Sequence, residues 1–158
     1  MKLYSLLFLL FTTSCARAQL IYSFDSSAQV NGCANIFLQK ISKDLKYELE
    51  AQIIIDSLPK LQEFDITKYS KFVTVYLNIY PKGNKYIHGI CDDVFLELSK
   101  TPIKYNAVSC SMTITKWDKK EQIISIVIKN AVVKSSVTGE IAIPLEYFSN
   151  LRVGWIGG

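Results

Sequence analysis

From Leu45 the chain alternates. Leu45, Tyr47, Leu49, Ala51, Ile53 and Ile55 are separated by Lys46, Glu48, Glu50 and Gln52 over most of the stretch. A helix would scatter that apolar set around its circumference, whereas a strand points successive side chains to opposite faces and collects the set on one of them. The stretch is a half-buried strand. The same signal recurs at 35–41, 72–80, 93–98, 107–117, 122–133, 140–147 and 151–155, so about eight strands are expected.

Turn chemistry separates them: Ser42-Lys43-Asp44, Pro81-Lys82-Gly83-Asn84, Asp118-Lys119-Lys120 and Thr138-Gly139 all lie between β-rich stretches. Such spacing indicates hairpins and not crossovers through helices. Only 56–70 loses the alternation; with Pro59, Asp65 and Thr67 it reads as a long connection holding one helical turn. The expected class is all-β, a two-sheet antiparallel sandwich, immunoglobulin-like in architecture, with 56–70 bridging the sheets. In 122–133, Ile124, Ile126, Ile128 and Val132 form one face while Ile123, Val127, Ala131 and Val133 make the other apolar too, which predicts a central strand. Pro144 cannot donate to a ladder and predicts an edge or a bulge nearby.

The N-terminus has a different character. Met1 and Lys2, an apolar run from Leu3 to Phe11 and then Ala16-Arg17-Ala18 have the form of an export signal. The run is too short to span a bilayer, which takes roughly 20 apolar residues. Cleavage after Ala18 assigns 1–18 to a signal peptide and 19–158 to a single domain, with no transmembrane segment in the mature chain. Thr12-Thr13-Ser14-Cys15 also resembles a bacterial lipobox, and Cys15 would then carry a lipid anchor. Small side chains at Ala16 and Ala18 favour the first route, which places the product in the periplasm or outside the cell; the second anchors it in the envelope.

The formal net charge of +4 falls to about +2 once Lys2 and Arg17 leave with the leader. That balance excludes an electrostatic nucleic-acid binder, since the nearest approach to a basic cluster, 116–120, is interrupted by Asp118. Of the four cysteines, Cys110 follows the apolar phase of Val108, Met112 and Ile114 and is expected to be a small buried hydrophobe. Cys33 and Cys91 stand near glycines at strand edges and are the expected disulfide in an oxidising compartment.

Catalytic chemistry is poorly represented. The one histidine, His88, has no second histidine with which to chelate zinc, and no nucleophile elbow or phosphate-binding loop is present. Asp92 and Asp93 would point to opposite faces of a strand, and Glu48 and Glu50 read as a solvent stripe beside Lys46. No catalytic residue, metal site or cofactor is therefore expected. The most suggestive polar face is that of 72–80: with Val73, Val75, Leu77 and Ile79 in the core, Phe72, Tyr76 and Tyr80 present rings beside Thr74 and Asn78, the form of a sheet surface that binds sugars or peptides. The apolar final segment 151–158 is expected to dock in the sheet, with Trp155 buried or sealing one end of the sandwich. These features describe an exported, non-enzymatic β-sandwich that binds an unknown protein or glycan partner. The alternatives are a carbohydrate-binding module, a structural envelope or inhibitor protein, and a small hydrolase built on His88.

Overall fold

A computed structural model describes residues 20–25, 29–33, 36–82 and 101–153. They form strands β1 (Leu20–Ile21), β2 (Gln29–Cys33), β3 (Phe37–Ile41), β4 (Tyr47–Ile53), β5 (Glu63–Asp65), β6 (Val73–Ile79), β7 (Ile103–Asp118), β8 (Ile123–Ser135) and β9 (Gly139–Arg152). Single 3-10 turns occur at Ile55–Ser57 and Ile66–Tyr69, and none of the described residues forms a helix long and apolar enough to cross a membrane. The strand expected at 93–98 and the burial expected of Trp155 lie outside the described residues.

The all-β class holds, but the strands are not divided between two hydrogen-bonded sheets. They make one continuous sheet in the order β1-β9-β8-β7-β6-β4-β3-β2, with β5 also paired to β7, curled into a half-barrel. Every pairing is antiparallel except the short parallel one of β1 with β9.

The curl has a local cause. In β8 the alternating buried side chains are Ile124, Ile126 and Ile128, then Ala131, Val133 and Ser135, with Ser125 buried out of phase at a register shift against β9; in β9 they are Ile141 and Ile143, then Glu146 and Phe148. Each strand changes the face it buries, at Lys129–Asn130 and at Pro144–Leu145. The register does not slip there, since Lys129 pairs with Leu145 and Ala131 with Ile143. β7 makes the same change next door, where bulges flank Ser109 and the buried face passes from Tyr105 to Cys110, Met112 and Ile114. The three switches form a line across the sheet, and along that line it turns a corner. Asn130 takes φ +50 to make the turn, a conformation that asparagine tolerates better than most residues. Pro144 at the same line has no N–H to leave unpaired.

This corner also accounts for the misleading pattern in 122–133. Both faces look apolar because the inward face changes at Asn130, not because β8 is covered twice: Ile123, Val127 and Val132 are only half-buried. Before the corner β7 pairs with β6, and after it with β5. The 56–70 connection therefore lies along β7 instead of bridging two sheets. Its Leu58, Phe64 and Ile66 are buried in the core, and Asp65 caps the second 3-10 turn by accepting from Thr67 N at 2.9 Å.

Three of the four predicted turns are found, and the fourth, Pro81-Lys82-Gly83-Asn84, lies partly outside the described residues. Ser42 Oγ accepts from Tyr47 N at 2.9 Å and donates to Asp44 Oδ1 at 2.7 Å, Asp118 Oδ1 accepts from Lys120 N and Glu121 N, and Gly139 supplies φ +100 at the start of β9. Leu45, with φ +55, belongs to the first of these turns and not to the strand. Opposite ends of the curled sheet are tied together by a buried ion pair, Lys40 Nζ of β3 with Glu146 Oε2 of β9 at 2.6 Å. The other oxygen of Glu146 accepts from Phe24 N at 2.7 Å. Phe24 lies edge-on to Tyr22, and Tyr22 stacks on Tyr47 of β4 at 4.0 Å, so the segment after β1 runs from β9 across to the other end of the sheet.

Candidate functional site

β6 has the phase read from its sequence: Val73, Val75 and Leu77 are buried in the core, and Thr74, Tyr76 and Asn78 occupy the opposite face. Its exposure differs from expectation. Tyr76 and Tyr80 retain 9% and 3% of their accessible surface, and only Phe72, at 36%, is open. The two tyrosines are therefore not an exposed ring platform.

The register of β4 against β6 supplies the reason. Glu48 lies opposite Asn78, Glu50 opposite Tyr76 and Gln52 opposite Thr74, so the supposed solvent stripe of β4 meets the polar face of β6 side by side. Asn78 Nδ2 donates to Glu48 Oε2 at 2.9 Å and to Glu50 Oε1 at 2.8 Å. Tyr80 Oη donates to Glu48 Oε2 at 3.0 Å, and Gln39 of β3 donates to Glu48 Oε1. Tyr76 lies directly opposite Glu50 and accepts from Gln52 Nε2 at 2.6 Å. Lys104 of β7 places its ammonium 3.6 Å from the centre of the Tyr76 ring, within range of a cation–π attraction. Glu48, with donors on both oxygens, is a satisfied buried carboxylate.

Glu50 is electrostatically distinct. Burial raises its carboxyl from the usual range to about 7, with the Glu48 charge adding to the rise and Tyr76, Lys104 and Asn78 opposing it. Burial likewise raises the Tyr76 and Tyr80 phenols, helped by the carboxylates they face. Among the described residues no three His, Cys, Asp or Glu side chains converge as a ligand set for a metal.

Where this polar face ends, an apolar cleft of ≈ 600 Å³ opens between the first residues of β3 and β6 and the last of β4. Ile36, Ile53, Ile55 and Val73 are its buried members, Ile54 and Phe72 its exposed apolar ones, at 57% and 36%. Gln52, Thr74, Asp56 and Lys71 add polar groups to the wall. Phe72 is the one candidate ring that lines this cleft. Gln52 belongs to both features, since it lines the cleft and donates to Tyr76.

Of the cysteines, Cys110 is buried and holds no disulfide, and burial pushes its thiol up to about 12. The backbone of Cys33 pairs with Phe37 at the end of β2. Cys91, and with it the expected Cys33–Cys91 bond, lies outside the described residues, as do Cys15, His88, Asp92 and Asp93. Sequence reasoning missed the Glu48–Asn78–Glu50 network. Its signal was present as two polar stripes, Glu48-Glu50-Gln52 and Thr74-Tyr76-Asn78, whose acids, amides and phenols complement each other once the two strands are neighbours. No family model matches the chain, and neither a curated protein nor a solved structure matches it significantly.

Proposed function

We propose that the chain is an exported, non-enzymatic binding protein that works in the cell envelope or outside the cell, and that it meets its partner at the cleft beside Phe72. The cleft is the observation that carries this reading. An apolar floor with a few polar groups on its wall is the usual form of a binding pocket, and Ile54 and Phe72 expose apolar area beside it. The occupant is an apolar side chain of a protein partner, with Lys71 and Asp56 at hand for the polar atoms around it. The leader-like residues 1–18 support the location, with lipidation at Cys15 as the alternative to cleavage after Ala18. The Cys33–Cys91 bond belongs to the same reading of an oxidising compartment and is tested by non-reducing peptide mapping.

A photo-crosslinking residue at position 72 should capture the partner, and Ile54→Asp in the same protein should abolish capture. Ile54 is exposed, so that change should alter stability by no more than about 0.5 kcal/mol. Equal capture by both proteins would place the contact elsewhere. A second reading, carbohydrate binding, is favoured by one observation: the Phe72 ring shares the cleft with the Thr74 hydroxyl and the Gln52 amide, a stacking surface beside hydrogen-bonding groups. Binding on a glycan array that Phe72→Ser removes would support it over a protein partner.

A further inference from the structure

Among the described residues, Gln52 alone both lines the cleft and takes part in the side-chain hydrogen bonds across the polar face of β4 and β6. Its Nε2 donates to Tyr76 Oη at 2.6 Å, and Tyr76 in turn lies directly opposite Glu50 in the register of the two strands, its phenol within influence of the carboxyl. A phenol has one hydrogen. When Tyr76 donates it to Glu50, the phenol oxygen keeps its lone pairs for the Gln52 amide, and the cleft wall is held in place. That arrangement uses Glu50 as an acceptor, and a hydrogen bond to an ionised carboxylate is roughly twice as strong as one between neutral groups. A proton on Glu50 weakens the bond, frees the phenol hydrogen to rotate and loosens the acceptor that fixes Gln52.

We infer that occupancy of the cleft is coupled to the protonation of Glu50 through Tyr76 and Gln52, so that the cleft binds more tightly when Glu50 is ionised. The inference rests on the cleft being a binding site and adds the regulation of that site. A wall that is already ordered loses less freedom on binding, and the coupling is reciprocal: an occupant favours the ionised carboxylate. The groups that face Glu50 are Glu48 and Gln52 on its own strand, Gln39 on β3, Tyr76 and Asn78 on β6, Tyr80 just after β6, and Lys104 on β7. Of the shifted groups among them, the phenols are moved further up from neutrality, which leaves Glu50, raised to about 7, to titrate between pH 5.5 and 8.5.

The test uses 1-anilinonaphthalene-8-sulfonate as the probe, because its apolar rings suit the cleft floor and its sulfonate stays charged across that interval. For the mature protein its Kd should be about fivefold lower at pH 8.5 than at pH 5.5, a coupling of ordinary size. Glu50→Gln removes the titrating group and Tyr76→Phe cuts the chain while keeping the ring. Each should bind the probe with no dependence on pH, and either one that folds suffices. His88→Gln should keep the full dependence. A Tyr76→Phe protein that keeps it, or a His88→Gln protein that loses it, overturns the inference. Ile54→Asp separates the two levels. If it abolishes probe binding but the parent protein shows no pH dependence, the cleft stands and the coupling falls; if it binds as the parent does, both fall.

Discussion

Glu48 and Glu50 are two residues apart on one strand and have opposite consequences for stability. Glu48 is held by Gln39, Asn78 and Tyr80. Glu48→Ala should cost about 2 to 4 kcal/mol in urea melts, because it strands buried donors, while Tyr80→Phe, which removes one of the three, should cost about 1 kcal/mol. Glu50 works the other way. Its carboxyl titrates near 7 when folded and near 4.5 when unfolded, so between those values the folded state binds more protons and stability falls as pH rises, the loss being complete above about 7. The full effect is of order 3 kcal/mol. Stability measured at pH 5 and pH 8 should differ in that sense, and Glu50→Gln should flatten the difference; a rise in stability with pH in this window would show that the carboxyl is not held neutral. Cys110 is a third case of burial acting on a single group. With its thiol pushed up to about 12 it should react slowly with thiol reagents under native conditions, and Cys110→Ala should cost about 1 to 2 kcal/mol in lost packing.

At the level of elements, the corner through β7, β8 and β9 does the most to shape the molecule. A strand that keeps strict alternation buries one face throughout; these three change face together, so each contributes to both walls of the curled sheet. Asn130 is the residue under backbone constraint, at φ +50. Asn130→Gly should be neutral or slightly stabilising, whereas Asn130→Val should cost about 1 to 2 kcal/mol because a β-branched side chain is poorly tolerated in that region. Denaturant melts of the two variants check this, and equal stability would mean that the corner does not depend on the left-handed residue. The same corner breaks the phase of β7. Val108 shares the sequence alternation of Cys110, Met112 and Ile114, yet it is 50% exposed, because the bulges beside Ser109 turn the strand between Val108 and Cys110.

For the whole molecule, closure depends on contacts between segments far apart in the chain. Lys40 and Glu146 join β3 to β9 inside the protein, and Glu146 also holds Phe24. Lys40→Met should cost about 3 to 5 kcal/mol, since it leaves a buried carboxylate without its counter-ion, and Lys40→Met with Glu146→Leu should recover part of that loss. Melting both variants in denaturant tests whether the pair acts as a unit. The amino-acid sequence by itself determined the β class, the hairpin turns at Ser42, Asp118 and Gly139, the inward set of β4 and β6, and the burial of Cys110. These follow from side-chain periodicity and turn chemistry, which act over a few residues. Only the tertiary structure decided which strands are neighbours. That choice turned a supposed solvent stripe and a supposed ring platform into one buried hydrogen-bonded face, gathered Ile54 and Phe72 around a cleft, and replaced two sheets by one bent sheet. Register and face changes depend on pairings between distant residues, and a strand's own pattern carries no record of the partner that will lie beside it.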